Sequence, residues 1–459
     1  MKTLKKIKQT IIGIAITIIA FSGCQQPAKE ITDKTGKLIE TEMVVDNQTG
    51  LLDSSINYCF YLPKNYNGID KLPVVIFLDP HANGKISINK YAKLANQYGY
   101  VFVSSNNIKN GQSANFTSGL FQNLLKETKN RFVIDENRMF TAGFSGGAKL
   151  AMMFAQQLPE IIGVAACGGS LPISSNSQPN YYYAGIVGNE DFNYLEVHQT
   201  FTVFDQWGFD YTSSIFNGAH EWPPAKNFEM ALIGFNIYTI KIKRSTKDEE
   251  WLDMVWLRMN DSVKALKTNK DLIQENIYLS QIKRWFYGLK NIKDISKKAY
   301  EIDIDPEFRK LAIKRQKLIQ NEVKLRAEFI KAIQMRDLDW WNREIENINT
   351  STHVNDYGVA QVSKRLLNYL SMASYMLVKT DLDDSRIDAA AKKLKIYEMV
   401  DADNPDVYLM YARYYLLLDD IEAMKLNFKK AQDLGFNDIE TYKNETSWTE
   451  LMNHPALVE

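Results

Sequence analysis

The sequence predicts an α/β domain with a doubly wound, mostly parallel sheet, followed by an all-α domain. Three observations carry this. Residues 1 to 240 hold 38 charged side chains and 20 of the 23 glycines, whereas residues 241 to 459 hold 72 and 3, so two domains of different class meet near 240. Within the first, unbroken apolar runs such as Pro73-Val-Val-Ile-Phe-Leu78 are interleaved with helical patterns, and such runs suit strands buried on both faces of a parallel sheet. The third is the stretch Thr141-Ala142-Gly143-Phe144-Ser145-Gly146-Gly147-Ala148, entered from an apolar strand and left by an Ala- and Met-rich helix.

Residues 1–23 read as an export signal: Lys2, Lys5, Lys6 and Lys8 precede an apolar run from Ile11 to Phe21 that is too short to span a bilayer. The ending Ser22-Gly23-Cys24 resembles the lipobox of bacterial lipoproteins, which implies that Cys24 is acylated and anchors the protein in the cell envelope, facing the periplasm or the exterior. Phe21 stands where that pattern usually has an aliphatic residue. Residues 24–45 are polar and without period, as a flexible tether would be.

The α/β domain is expected over 46–240. Ile56–Leu62 alternates as an edge strand would and is ended by Pro63 and the Asn65-Tyr66-Asn67-Gly68 turn. Strands follow at Pro73–Leu78, Tyr100–Ser104, Arg138–Ala142, Ile161–Cys167, Tyr182–Val187 and Tyr211–Phe216, with helices at Tyr91–Tyr98, around Phe121–Thr128 and from Gly146 to Leu158. Cys59 and Cys167 lie in two of these strands, as buried free thiols or as a disulfide. Neither has a histidine at metal-ligand spacing, and no cofactor or metal motif stands out. The 55 basic and 55 acidic residues cancel, so nothing argues for a nucleic-acid partner.

In a doubly wound sheet, chemistry lies beyond the carboxyl ends of the strands. Gly143-x-Ser145-x-Gly147 fits a nucleophile elbow, whose sharp strand-to-helix turn leaves no room for a Cβ beside the serine. After Leu78 come Asp79-Pro80-His81-Ala82-Asn83-Gly84, after Val187 Gly188-Asn189-Glu190-Asp191, and after Phe216 Asn217-Gly218-Ala219-His220-Glu221-Trp222-Pro223. Serine, acid and histidine therefore follow in the order Ser145, Asp191, His220, with Glu190 competing for the acid position.

These pieces resemble the α/β-hydrolase esterases of the group containing secreted feruloyl esterases and polyhydroxybutyrate depolymerases, with His220-Glu-Trp222-Pro223 the most group-specific. The resemblance covers residues of about 45 to 240. It implies a Ser145 nucleophile, a His220 base oriented by Asp191, and an oxyanion site formed by the Gly146 N–H and one from the His81-Ala82 loop. Ala82 stands where the group usually has glycine, which narrows the backbone angles there. His81 reads as a structural donor and His198 as a packed histidine; His353 and His454 have no evident partners. The interval 168–181 has no room for a helical lid, so an open site is expected, suited to soluble or polymer-attached esters.

From 241 to 459 the pattern is that of charged helices with apolar stripes, such as Trp251, Met254, Val255 and Leu311, Leu318, Val323, Phe329, Ile333. Over about 360–459, Ala390, Leu394, Tyr397, Ala412, Tyr415, Phe428 and Ala431 fall at positions that resemble degenerate tetratricopeptide repeats, and Leu434-Gly435-Phe436 with His454-Pro455 resembles a closing unit. That implies a protein or peptide partner, or a scaffold that packs on the α/β domain. Two readings of the whole chain follow: a lipid-anchored carboxylesterase, or a non-catalytic envelope interaction protein with a relic hydrolase fold. Peptide hydrolysis is a third, weaker one.

Overall fold

A computed structural model describes residues 31–458 apart from 174–177, 438, 440, 441 and 443–446. The expected export signal and Cys24 lie outside the described residues.

Eight strands form one sheet in the order β1-β2-β4-β3-β5-β6-β7-β8. They are β1 (Val44–Thr49), β2 (Asn57–Tyr61), β3 (Leu72–Leu78), β4 (Val101–Ser105), β5 (Ile134–Phe144), β6 (Ile161–Cys167), β7 (Tyr182–Gly188) and β8 (Tyr211–Phe216). The β1/β2 and β2/β4 pairs are antiparallel and every other pair is parallel. β3, β6 and β7 are buried along their whole length, which is why they read as apolar runs without alternation. Helices α2 (Ala114–Arg131), α3 (Gly146–Gln157) and α4 (Tyr194–Trp207) cover one face, and α1 (Gly84–Tyr98) and α5 (Ala225–Lys241) the other. The chain order reverses at β3, which has β4 on one side and β5 on the other, so the crevice lies beyond Leu78 and Phe144.

Two expectations change at the start of this domain. β2 is not the edge strand, because β1 pairs outside it. Of the expected tether 24–45, residues 31–45 are fixed to the domain. Asp33 and Arg131 are both buried and joined Oδ2 to Nε at 3.1 Å, while the Lys34 N–H donates to the Arg131 carbonyl. Arg131 also donates to the Tyr58 hydroxyl, which donates to the buried Glu127. A buried arginine of this kind holds distant segments together because each of its partners would otherwise be a desolvated polar group.

The rest of the chain is helical: α6 (Glu249–Thr268), α7 (Leu272–Phe286), α8 (Lys293–Asp303), α9 (Pro306–Met335), α10 (Leu338–Ser351), α11 (Tyr357–Asp383), α12 (Ile387–Val400), α13 (Pro405–Leu417), α14 (Ile421–Asp433), then two short turns of helix near the end. Asp248, Asp271, Asp305, Asp337, Asp356, Asn404 and Asp420 each accept a first-turn N–H, the capping that places so many helix starts directly after an acid or amide. The apolar stripes hold in part: Val255, Phe329 and Ile333 are buried as expected. Met254 and Val323 are exposed, and the buried faces are Leu252, Val255, Met259, Val263 on α6 and Phe329, Ala332, Ile333 on α9. No helix among the described residues is long and apolar enough to cross a membrane.

The change of composition near 240 is not a gap in packing. Ile233, Ile237 and Ile240 of α5 belong to the same core cluster as α6, α7 and α8. On α7, buried Gln281 accepts the Ser213 N–H and donates to the Tyr211 carbonyl, at 3.1 Å each, so a side chain occupies the open edge of β8.

Burial acts to raise the Asp33 carboxyl, but the Thr35 hydroxyl, the N–H groups of Lys37 and Thr35, and Arg131 outweigh it and hold the carboxyl below its usual range. A carboxylate depressed in the folded state stabilises above its unfolded pKa of about 3.9, and that contribution is lost as pH falls through the lower folded value. Asp33→Asn is therefore expected to lower stability at pH 7 by about 3 kcal/mol. The gap from the parent should shrink below about pH 4, as urea midpoints at the two pH values will register.

Candidate active site

The four strand ends picked out by sequence, those of β3, β5, β7 and β8, meet at one end of the sheet. Ser145 follows β5 with φ 54° and ψ −119°, a strained turn outside the usual regions for a non-glycine residue, and its N–H donates to the Cys167 carbonyl at 2.8 Å. The neighbouring glycines have a packing reason. A Cβ on Gly143 would sit 2.1 Å from the Gly147 carbonyl oxygen, and one on Gly147 would sit 2.1 Å from that of Leu78. The atoms nearest to a Cβ on Gly146 would be those of the Asn110 side-chain amide, its Oδ1 at 1.9 Å. Asn110 was not singled out in the sequence, because it reaches the turn from the loop after β4 through its N–H bond to the Pro80 carbonyl.

Asp191 is fully buried, and its Oδ1 lies 2.9 Å from His220 Nδ1. The same oxygen accepts the Asn193 N–H at 2.7 Å, while Oδ2 has no hydrogen-bond partner among the described residues. Glu190 turns the other way, to Lys364 at 2.8 Å, so it is Asp191 that faces the imidazole. Gly188 is small because a Cβ there would sit 2.3 Å from the Gly218 carbonyl oxygen, which lets the acid and histidine loops touch. The His220 ring lies between Phe144 and Phe192, with centroids 4.5 and 4.1 Å away. With Nδ1 facing Asp191, Nε2 is the nitrogen left for a base. Ser145 Oγ makes no hydrogen bond among the described residues, to His220 included.

Asp79 organises the loop after β3. Its Oδ1 accepts the N–H groups of His81 (2.9 Å) and Asn83 (3.2 Å), its carbonyl accepts that of Ala82 (3.1 Å), and its Oδ2 accepts the indole N–H of Trp222 at 2.9 Å. The two loop amides expected at the oxyanion site are thus already bonded to Asp79, whereas Gly146 opens α3 and its N–H has no partner within the helix. Ala82 takes φ 61°, the left-handed region in which glycine would be unstrained. The loop of His220 and the loop of His81 and Ala82 are therefore joined through the Asp79–Trp222 bond.

The other expected residues are placed as follows. Cys59 and Cys167 are buried free thiols, and burial pushes the Cys59 thiol up to about 12. His198 is pushed down to about 4 by burial and the charges of Arg315 and Arg365, so it is neutral and packed. The described residues between 168 and 181 form no helix. The site is nevertheless flanked, because α9 and α11 abut the loop that carries Asp191: Arg326 donates to the Phe192 carbonyl at 2.6 Å and Arg365 to that of Asn189 at 2.7 Å.

No protein-family profile matches the chain, and no curated protein does. Among solved structures, it is similar to a fluorophosphonate-binding serine hydrolase of Staphylococcus aureus (12% identity over 42% of this chain and 97% of that one, TM-score 0.35). An esterase of Pyrobaculum calidifontis matches at 14% identity over 43% and 83%, TM-score 0.32. A feruloyl esterase module from Clostridium thermocellum, complexed with sinapinate, matches at 14% over 42% and 87%, TM-score 0.34. At such scores the likeness says nothing of chemistry, which has to come from this chain's own residues. The architecture expected from the sequence, a mostly parallel α/β sheet followed by helices, is the one observed.

The two glycines after Ser145 separate in a simple experiment. Gly147→Ala drives a methyl into backbone and is expected to cost about 3 kcal/mol, whereas Gly146→Ala displaces only the end of a side chain and leaves the thermal midpoint near that of the parent.

Proposed function

We propose that this protein is a serine hydrolase acting on carboxylic esters through Ser145, His220 and Asp191, by way of an acyl-enzyme. The observation that carries the reading is the pairing of a strained, glycine-flanked serine turn with a buried Asp191 carboxylate 2.9 Å from His220, at neighbouring ends of one sheet. A serine hydroxyl is a weak nucleophile on its own. His220 Nε2 takes its proton as Ser145 Oγ attacks the ester carbonyl, and later returns that proton to the leaving alcohol. Asp191 holds the imidazole in the tautomer with the proton on Nδ1 and stabilises the imidazolium. The Gly146 N–H, at the positive end of α3, meets the developing oxyanion. A second donor from the His81-Ala82 loop requires one of those amides to leave Asp79.

Anchoring in the envelope through Cys24 and a peptide or protein partner on the repeat-like helices α11–α14 belong to the same proposal. They are supported by the leader pattern and by the repeat-like spacing in the sequence, and the mass of the N-terminal peptide after export tests the anchor.

Residues 25–459 are expected to hydrolyse short-chain nitrophenyl esters and to be labelled by a fluorophosphonate at Ser145. Ser145→Ala and His220→Ala should each lose activity by a thousandfold or more, roughly, with folding intact. A parent that neither turns over these esters nor takes the label defeats the reading.

A further inference from the structure

The acid loop is held from outside the α/β domain. Residues 189–192 expose four backbone carbonyls, and a buried backbone acceptor needs a partner. The Asp191 carbonyl accepts the Tyr194 N–H within the loop. The other three are taken by side chains of the helical domain. Arg365 Nη1 donates to Asn189 at 2.7 Å, Asn368 Nδ2 to Glu190 at 2.8 Å, and Arg326 Nη1 to Phe192 at 2.6 Å. Lys364 adds an ion pair to the Glu190 side chain, and Arg315 a hydrogen bond to Tyr194 at 2.8 Å.

Behind these donors stands a fully buried carboxylate. Glu322 of α9 accepts Arg365 Nε and Nη2 from α11, the latter at 2.6 Å, and Arg326 Nη2 from its own helix at 2.5 Å. Arg365 is itself 4% exposed, and its guanidinium lies 4.3 Å over the Tyr194 ring. Two guanidinium groups are thus oriented by one carboxylate, and the Nη1 of each donates to a carbonyl on one side or the other of Asp191. Burying three charges is costly unless each is hydrogen-bonded, and a network of this kind fixes geometry more than it adds stability.

We infer that Arg365 and Arg326, oriented through Glu322, and Asn368 beside them are positioning residues that set the Asp191 carboxylate against His220, so that the helical domain is part of the catalytic apparatus. The inference rests on the reading of Ser145, Asp191 and His220 as a triad. It assigns the helical domain a role that neither partner capture nor simple packing provides: the acid's loop is braced on one side by the sheet and on the other by α9 and α11.

The test uses residues 25–459 carrying Arg365→Met, Arg365→Lys, Asn368→Ala or Glu322→Gln, each checked for the parent's circular dichroism. A displacement of the acid by about 1 Å lowers turnover about a hundredfold. Arg365→Met is expected to reduce kcat by that order, with KM within about twofold, and to slow fluorophosphonate labelling of Ser145 in step. Arg365→Lys should recover part of the loss, because it can still reach one carbonyl. Asn368→Ala leaves the ion network whole and should reduce kcat several-fold, which keeps the test decisive if the Arg365 variants do not fold. Unchanged kcat and labelling rate in folded Arg365→Met and Asn368→Ala, or a rise in KM alone, overturns the inference while the triad stands. A parent with neither turnover nor labelling overturns both.

Discussion

The approach of Gly147 to the end of β3 is the contact on which the candidate-site end of this molecule depends. The first turn of α3 lies so close to the Leu78 carbonyl that no side chain fits between them. That closeness fixes two things together: where Ser145 stands after β5, and where the Asp79 loop begins after β3. Because β3 is the strand at which chain order reverses, the same contact sets the floor of the crevice. The strain at Ser145 is supported by this packing and by the bond from its N–H to Cys167, both of which belong to the sheet rather than to the turn.

Much of the α/β domain was legible because its signals are local. Apolar runs such as Ile161–Cys167 mark strands buried on both faces, and Gly143, Ser145 and Gly147 mark a turn whose spacing states its own geometry. The order of Ser145, Asp191 and His220 was readable for the same reason, since each follows a recognisable strand. What stayed hidden is held by contacts between distant residues. Thr35 and Lys37 look like tether until Asp33 meets Arg131. Met254 and Val323 look like core because hydrophobic spacing alone does not say which face of a helix finds a neighbour. The loop amides of His81 and Ala82 look free until Asp79 folds back on them, and Glu190 looks as good an acid as Asp191 until Lys364 claims it.

The helical part illustrates a wider point about reading domains from composition. Its charge density suggests a self-contained, solvated bundle, yet several of its charges are among the most buried in the molecule. Glu322 and Arg365 are buried like core residues yet ionic in their chemistry, so a hydropathy pattern passes over them. Such residues are placed by what they bond to: Glu322 holds Arg365, and Arg365 holds the backbone of the other domain. The aspartates that cap α6, α7, α9, α10, α11 and α14 are the opposite case, charged residues whose job is local and whose position in the sequence gives it away.

Gln281 on the edge of β8 bears on the order in which the chain can finish folding. β8 is complete at Phe216, but the side chain that covers its edge follows 65 residues later. At a synthesis rate of about 5–20 residues per second, a chain folding as it is made carries that edge uncovered for roughly 3–13 s. An uncovered strand edge pairs readily with another chain. The nascent protein therefore passes through an interval in which its sheet is formed and adhesive, and α7 is the element whose arrival ends it.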